Sequence, residues 1–308
     1  MTAPLPSAAL APPAPQPAAL RAMPLVFVLI WSTGFVVARY GMRHAPPLTF
    51  LAWRYALSIA AFGIWVLASR AAWPRGRAQW MHLSVTGVLM HGGYLGGVWC
   101  AVAHGLGAGT AALIVGLQPV LTALWTSARG HRHRIGVAQW IGLALGVAGL
   151  VMVVWNKLHL GQANALNIAL ALLALASITV GTLYQKRWVA RCDVRSANLV
   201  QLGAALIVTL PLALFESGHF DPRPEALGAL AWSVLVLTLG GSSLLYLLIQ
   251  RGAATAVASL MYLVPPCTAL LAWWLFGEDL GPLVLGGLVL TAIGVALVLR
   301  DARKAARG

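Results

Sequence analysis

The chain has 308 residues, of which 60% are hydrophobic and 9% are charged. Soluble domains carry about 25% charged residues, so this composition excludes a soluble globular enzyme and indicates a membrane protein. The net charge of +14 would suit nucleic acid if the basic residues gathered on one soluble face. They are instead dispersed among short connecting segments, which excludes a nucleic-acid partner and leaves the lipid bilayer as the surroundings of the chain.

Residues 1–21 are rich in proline and alanine, and we expect them to form a disordered cytoplasmic tail. The first hydrophobic run has no preceding basic region typical of a signal peptide, so we interpret it as a retained span. The three cysteines match neither a disulfide framework nor a zinc-binding spacing. We therefore expect no metal and no cofactor.

A membrane-spanning helix needs about 20 mostly apolar residues. Ten segments meet this requirement and are numbered here as spans one to ten: residues 24–42, 48–69, 81–103, 107–128, 136–155, 165–187, 197–215, 227–250, 254–276 and 282–300. With the N-terminus in the cytoplasm, 16 of the 21 Lys and Arg residues fall in cytoplasmic segments and four fall in outer loops. Because positive residues mark the cytoplasmic side, the sequence predicts a multi-pass protein with both termini inside.

His91 and Tyr94 share one face of the third span, where close-packing glycines surround them. An imidazole and a phenol suit hydrogen bonding to, or stacking on, a polar and aromatic substrate. Trp99 lies about one turn beyond Tyr94 and is a further candidate, with a place in the core as the alternative. For His91 the alternative is a neutral ring bonded to a backbone carbonyl.

The fourth and ninth spans each carry a proline near the middle. Leu117-Gln118-Pro119 corresponds to Leu263-Val264-Pro265, 146 residues later. Proline lacks an N–H and clashes with the carbonyl four residues earlier, so a helix break or hinge is predicted at Pro119 and at Pro265. Proline-interrupted spans at corresponding positions of two halves point to a transporter's binding site. Two unrelated kinked helices of a structural bundle are the alternative.

Gln118 and Tyr262 precede these prolines and are candidates for substrate contact. Satisfying the loosened backbone is an equal alternative for Gln118. Other polar or aromatic side chains within the spans could line a cavity, although Ser and Thr often bond to their own helix. These weaker candidates are Trp31, Thr33, Thr179, Tyr184, Ser243 and Tyr246.

Arg54 is the only cation inside a span, about 10 Å from its start at 1.5 Å per residue. A structural role, such as snorkelling to the outer headgroups, is favoured over a buried pairing with carbonyls or with a substrate carboxylate. No Asp or Glu lies within a span core, and no phosphate-binding loop occurs. A membrane enzyme, an ATP-driven pump and a carboxylate proton relay are therefore disfavoured.

Ten spans divide into two sets of five. Because five is odd, a repeated second half must be inverted in the membrane. Glycines of the fifth span have counterparts in the tenth: Gly142, Gly146 and Gly149 match Gly286, Gly287 and Gly294. The predicted fold is an all-α integral membrane protein of ten transmembrane helices, arranged as two inverted five-helix repeats around a central cavity. Residues 22–157 and 158–300 form the repeats, and 301–308 form a basic cytoplasmic tail. Gly142 and Gly146 suit a homodimer contact or internal packing equally.

The run Trp31-Ser32-Thr33-Gly34-Phe35, then Arg39-Tyr40-Gly41, Pro46-Pro47 and Arg54, resembles the opening of the EamA family in the drug/metabolite transporter superfamily. The proline spans followed by glycine-rich spans resemble the two repeat ends of that family. Gly34 departs from the pattern, since many members carry a small polar residue there.

The resemblance implies a secondary transporter of the bacterial inner membrane that exports amino acids or related small metabolites by alternating access. Within that family, the chain resembles most the YddG-type exporters of aromatic amino acids. Without carboxylates in the spans, facilitated diffusion and proton exchange through His91 both stay open. A non-transporting membrane assembly protein and a multidrug exporter of the same fold are the alternatives.

Overall fold

The computed structural model describes residues 18–128, 137–189, 192–241, 244 and 263–305. Eleven helices are labelled here in chain order: α1 Ala18–Gly41, α2 Pro47–Ser69, α3 Arg77–Ala103, α4 Ala108–Val115, α5 Gln118–Ala128, α6 Val137–His159, α7 Ala165–Trp188, α8 Val194–Ala213, α9 Pro224–Gly240, α10 Val264–Phe276 and α11 Pro282–Ala305. Within these ranges no strand occurs, so the predicted all-α class is confirmed. Helix α1 begins inside the predicted tail, and α11 extends into the predicted C-terminal tail.

Five helices are long and apolar enough to cross a membrane: Pro47–Ser69, Arg77–Ala103, Trp140–His159, Ala165–Trp188 and Val194–Ala213. Five shorter apolar helices accompany them: Leu25–Gly41, Ala108–Thr122, Pro224–Gly240, Val264–Phe276 and Pro282–Leu297. Many of the outward-facing side chains are large and apolar, among them Leu67, Phe215 and Trp274. In water such a surface would favour aggregation, so these helices are those of an integral membrane protein.

The predicted outer loops meet at one end of the bundle, which we call the acidic end because Glu216, Asp221, Glu225, Glu278 and Asp279 lie there. The backbone N–H of Asp221 donates to the carbonyl of His44 (2.8 Å). The side chain of Asn167 donates to the carbonyl of His104 (3.1 Å), and that of Asn156 donates to Asp279 (3.3 Å). Segments that are distant in sequence are therefore joined at this end.

The loops between α2 and α3 and between α7 and α8 lie at the opposite end, where the hydroxyl of Ser196 donates to the carbonyl of Ala72 (2.7 Å). Helix α1 reaches the acidic end with its last turn, which contains Arg39. Helix α7 instead begins at that end, with the Asn164–Asn167 capping box. The first helices of the two predicted repeats therefore run in opposite directions along the bundle.

Helices α3 and α9 each contain a π-helical segment, Val88–Leu95 in α3 and Trp232–Gly240 in α9. Their first residues are 144 positions apart, close to the spacing of the two proline motifs. Segments with i→i+5 hydrogen bonds are rare and frequently occur at functional sites. The two π-helical segments therefore indicate that a functional site lies in the part of the interior formed by α3 and α9.

The helix predicted over residues 107–128 is interrupted at residues 116–117, just before Pro119, and continues as α5. Helix α10 begins at Val264 with Pro265 in its first turn. The two proline regions contact one another, because a Cβ added to Gly116 would lie 2.7 Å from Cγ of Pro265. A cavity of about 10 Å³ lies where these regions meet α11, and it is lined partly by Gly116, Pro265 and Thr291. That volume accommodates about one water molecule.

Helices α6 and α11 cross at glycines. Cβ atoms added to Gly149 and Gly287 would each collide with the backbone of the other residue, and one at Gly294 would collide with Gly142 and Gly146. Small residues allow helices to approach this closely. Of the two roles considered for Gly142 and Gly146, a homodimer contact and internal packing, the contact between α6 and α11 supports internal packing.

Candidate functional site

The π-helical segment of α3 carries His91 and Tyr94 into the bundle. The hydroxyl of Tyr55 donates to the carbonyl of His91 (2.8 Å), which holds this segment against α2. Tyr94 is 6% exposed and lies beside the indole of Trp31 on α1. His91 is a half-buried residue, and its ring nitrogens have no hydrogen-bond partner among the described residues. The pair predicted from the sequence thus lies in the interior, with the imidazole available.

Arg54 lies beside these side chains and is only 7% exposed. Its Nε and Nη2 atoms both donate to Oγ1 of Thr238, each at 3.2 Å. The Thr238 hydroxyl in turn donates to the carbonyl of Ser233 (2.8 Å) inside the π-helical segment of α9. The guanidinium is close enough to His91 and Tyr94 to interact with both electrostatically. We call Trp31, Arg54, His91, Tyr94 and Thr238 the interior cluster.

For Arg54 the structure contradicts snorkelling, the form of structural role given as the example. A snorkelling side chain would reach the bundle surface, whereas this one is buried and points to α9. One feature of the sequence does make Arg54 a site candidate, because an ionisable residue within a span is a functional candidate by default. Its partner Thr238 could not be recognised from sequence, because their contact depends on how α2 packs on α9.

Several predicted site residues have their described contacts elsewhere. Trp99 is 1% exposed and stacks on Phe50 with 4.6 Å between ring centroids, inside the core. Thr179 donates to the carbonyl of Leu175 in its own helix (2.7 Å). The hydroxyl of Tyr184 lies 2.7 Å from Nδ1 of His82, towards the end opposite the acidic end.

Thr33 joins α1 to α9, because its hydroxyl accepts from Nε1 of Trp232 (2.9 Å). Gln118 donates from Nε2 to Oγ1 of Thr182 (3.0 Å) and so links α5 to α7 beside the helix break. Three further candidates, Tyr262, Ser243 and Tyr246, lie outside the described residues. Within the described ranges, no three His, Cys, Asp or Glu side chains gather closely enough to bind a metal ion.

At the acidic end, Glu278 joins three parts of the chain. Its Oε1 accepts from the Arg39 guanidinium and from the backbone N–H of Ala108 (2.8 Å), the first residue of α4. The Arg39 guanidinium also lies over the ring of Phe276, 4.6 Å from its centroid. We call Arg39, Ala108 and Glu278 the Glu278 bridge. It ties α1 and α4 to the segment after α10.

Glu216 plays a parallel part at the start of α2. Its carboxylate accepts from the backbone N–H groups of Leu48 (2.9 Å) and Thr49 (2.7 Å). The first N–H groups of a helix lack partners within the helix, and the helix dipole favours a negative charge there. Both glutamates therefore satisfy a helix start in the first part of the chain from a loop in the second part.

The sequence model of the EamA-like transporter family matches residues 22–155 and again residues 165–300. The chain is similar to a probable amino-acid metabolite efflux pump of Salmonella typhimurium, 27% identical over 285 residues that cover 88% of this chain and 91% of the relative. It is 26% identical over 277 residues to the uncharacterized inner membrane transporter YedA of Escherichia coli, covering 87% of this chain and 88% of YedA. A crystal structure of 19% identity matches with a TM-score of 0.65 over 94% of this chain and 99% of the other, a likeness of fold alone.

Proposed function

Since the chain belongs to the EamA-like transporter family, as its motifs predict, we propose that it is a secondary transporter exporting amino acids or related small metabolites across a bacterial inner membrane. The observation that carries this proposal is the composition of the interior cluster. Arg54, His91 and Tyr94 come from the first family match, and Thr238 comes from the second. A solute bound there would contact both parts of the chain.

The interior cluster offers hydrogen-bond donors beside aromatic faces. Small-molecule sites typically combine a few placed polar groups with apolar and aromatic walls. The guanidinium, imidazole and phenol supply the polar groups, and the indole of Trp31 supplies an aromatic surface. This chemistry suits a small solute that carries a polar group and a ring, such as an aromatic amino acid.

We propose that transport proceeds by alternating access between two inverted repeats, residues 22–157 and 158–300. The opposite directions of α1 and α7 support the inversion, since each begins one predicted repeat. The meeting of the two proline regions at Gly116 and Pro265 supports bending at Pro119 and Pro265. Such breaks are tolerated where they are packed in protein or line a wet cavity.

In this scheme the acidic end faces the outside and both termini lie in the cytoplasm, as the distribution of basic residues predicts. The Glu278 bridge then closes the outer side of the interior cluster. Opening that side requires the Arg39–Glu278 ion pair to separate. The same movement would also release the hydrogen bond from the N–H of Ala108 to Glu278.

Counterflow in proteoliposomes tests the function. Vesicles loaded with an unlabelled amino acid should accumulate the same labelled compound transiently, above protein-free vesicles, for at least one member of a panel that includes the aromatic amino acids and their related carboxylic acids. His91→Ala should lower this accumulation, while His159→Ala, an exposed change at the end of α6, should not. Absence of counterflow for every member of the panel would overturn the proposal and favour an assembly role.

A further inference from the structure

Among the residues that the structure describes, the buried charge of Arg54 has no carboxylate partner. The chain contains seven Asp and Glu residues. Five lie at the acidic end, Asp193 pairs with Arg195 at the opposite end, and Asp301 lies near the end of α11. Removing an unpaired charge from water costs several kcal/mol. An ionisable residue that is retained inside a membrane bundle is a functional candidate by default, and an anion supplied from outside the chain would neutralise this cation.

The hydrogen bonds of Arg54 leave one edge of the guanidinium unused. Thr238 accepts from Nε and Nη2, so it occupies one edge of the planar group and fixes its orientation. Nη1 has no partner among the described residues. The fully buried and unpartnered side-chain N and O atoms in those ranges are Oγ of Ser58 and Oγ of Ser233. Nη1 is not among them, so the protein does not enclose it completely.

The two orphan hydroxyls lie on the same two helices as this pair. Ser58 follows Arg54 by one turn of α2, and Ser233 lies on α9 at the carbonyl that accepts from Thr238. Buried polar groups are nearly always hydrogen-bonded in folded proteins. Ser58 and Ser233 are fully buried, so they add two unsatisfied hydroxyls to the helices that hold Arg54 and Thr238, and incomplete satisfaction of this kind occurs mainly at functional sites.

We propose that Arg54 binds the carboxylate of the transported solute, and that the substrates are small monocarboxylic acids with an aromatic or apolar group. This rests on the proposed function and names its substrate class. A carboxylate would accept two parallel hydrogen bonds from the Nη1 and Nη2 edge, the strongest arrangement for this pair of groups. The remainder of the solute would lie against Trp31, His91 and Tyr94.

The span cores provide no carboxylate to pair with an ammonium ion. Since no Asp or Glu lies within the span cores, the amino group of an amino acid would have only neutral partners there. The carboxylate is therefore the feature that the site requires, and the amine is dispensable. Carboxylic acids without an amine should bind at least as well as the amino acids that carry the same ring.

Thermal unfolding of the wild-type protein in detergent tests this without any substitution, because a ligand that binds only the folded state raises the melting temperature. Four compounds with the same ring are compared: 3-phenylpropionate, phenylalanine, 3-phenylpropionamide and phenethylamine. We expect the two carboxylates to raise the melting temperature and the amide and amine to leave it unchanged. Equal shifts for the amide and the carboxylate, or no shift with either carboxylate, would overturn the proposal.

Substitution of Arg54 gives the second test. Counterflow of labelled 3-phenylpropionate should fall at least about 30-fold in Arg54→Gln, given the usual strength of a buried charge-assisted pair. It should recover in part in Arg54→Lys, because lysine keeps the positive charge but cannot donate two parallel hydrogen bonds as the planar guanidinium does. Arg223→Gln is the matched control, because that side chain is 65% exposed at the acidic end. Wild-type counterflow in a folded Arg54→Gln protein would refute the assignment.

The two proposals fail in different ways. If neutral or cationic solutes show counterflow and carboxylates do not shift the melting temperature, the carboxylate site is overturned but the transport function is still supported. A carboxylate-dependent shift that Arg54→Gln abolishes, with no counterflow of any solute, would support the site and overturn transport. If Arg54→Gln fails to fold, the unfolding measurements on the wild-type protein decide the question.

Discussion

The acidic end and the interior cluster differ in how completely their charged side chains are hydrogen-bonded. At the acidic end, Glu278 accepts from a guanidinium and a helix start, and Glu216 accepts from two backbone N–H groups. In the interior, the charged group of Arg54 has one neutral hydroxyl as its hydrogen-bond partner among the described residues. Complete pairing is typical of groups that hold a structure together, and incomplete pairing is typical of groups that await a ligand.

This difference arises because hydrogen-bond partners for a charged group are more easily found at the ends of the helices than in the interior. Helix starts offer unpaired N–H groups at the ends of a bundle, and a nearby carboxylate satisfies them directly. A cation in the interior loses its hydration and gains little from a threonine. Natural proteins depart from full satisfaction mainly at functional sites. We therefore expect substitutions in the two regions to affect different properties: stability at the acidic end and transport in the interior.

The largest expected effect on stability comes from Glu278→Gln. This change removes the charge that binds Arg39 and leaves an amide to accept from Ala108. The Glu278 side chain is 9% exposed, so solvent replaces little of what is lost. We expect the free energy of unfolding to fall by about 2 kcal/mol, measured by thermal or denaturant unfolding in detergent.

Glu225→Gln is the matched control for that measurement. Glu225 lies in the first turn of α9, and its side chain is exposed. A carboxylate at an exposed helix start contributes about 0.3–1 kcal/mol, so its loss should cost less than that of Glu278. Equal losses for the two variants would mean that the Glu278 bridge contributes no more than a general helix-dipole effect.

Arg54→Met should have a much smaller effect on stability than Glu278→Gln. The methionine retains apolar volume, and Thr238 can still donate to the carbonyl of Ser233. Replacing a buried charge by an apolar side chain is often neutral or stabilising, so we expect a change below about 1 kcal/mol in unfolding free energy without ligand. A loss of about 3 kcal/mol or more would assign Arg54 a structural role and remove the contrast between the two regions.

The smallest effect is expected at Asp193, which precedes α8 outside the membrane-spanning segments. Hydrogen bonds from the Arg195 side chain lower the pKa of Asp193. A lowered pKa in the folded state contributes stability above the unfolded value of about 3.9, and this is lost as pH falls through the folded value. Asp193→Asn should therefore lower the melting temperature slightly at pH 7, and the difference should shrink below about pH 4. A difference independent of pH would contradict this assignment.

The helices were largely predictable from the sequence because most of them lie in apolar runs. The interruption at residues 116–117 was also predictable, since Pro119 removes a hydrogen bond to Val115. The π-helical segments of α3 and α9 were not. In a run that is apolar on every side, hydrophobic periodicity carries no information about whether a turn has 3.6 residues or more.

The candidate site was only partly predictable. His91, Tyr94 and Trp31 could be chosen because polar and aromatic residues are conspicuous within apolar spans. The role of Arg54 depends on Thr238, which lies 184 residues away along the chain, and the Glu278 bridge joins residues 239 positions apart. Such pairs depend on which helices become neighbours, and a single sequence contains no direct record of that.

The most direct test of alternating access is to lock the acidic end and measure counterflow. Cys100, Cys192 and Cys267 are first replaced by serine or alanine. Arg39→Cys and Glu278→Cys are then introduced together and joined by a short, reducible bis-thiol cross-linker. The account predicts that counterflow stops in the cross-linked protein and returns when the linker is cleaved. Counterflow at the full rate with the two positions joined would contradict it.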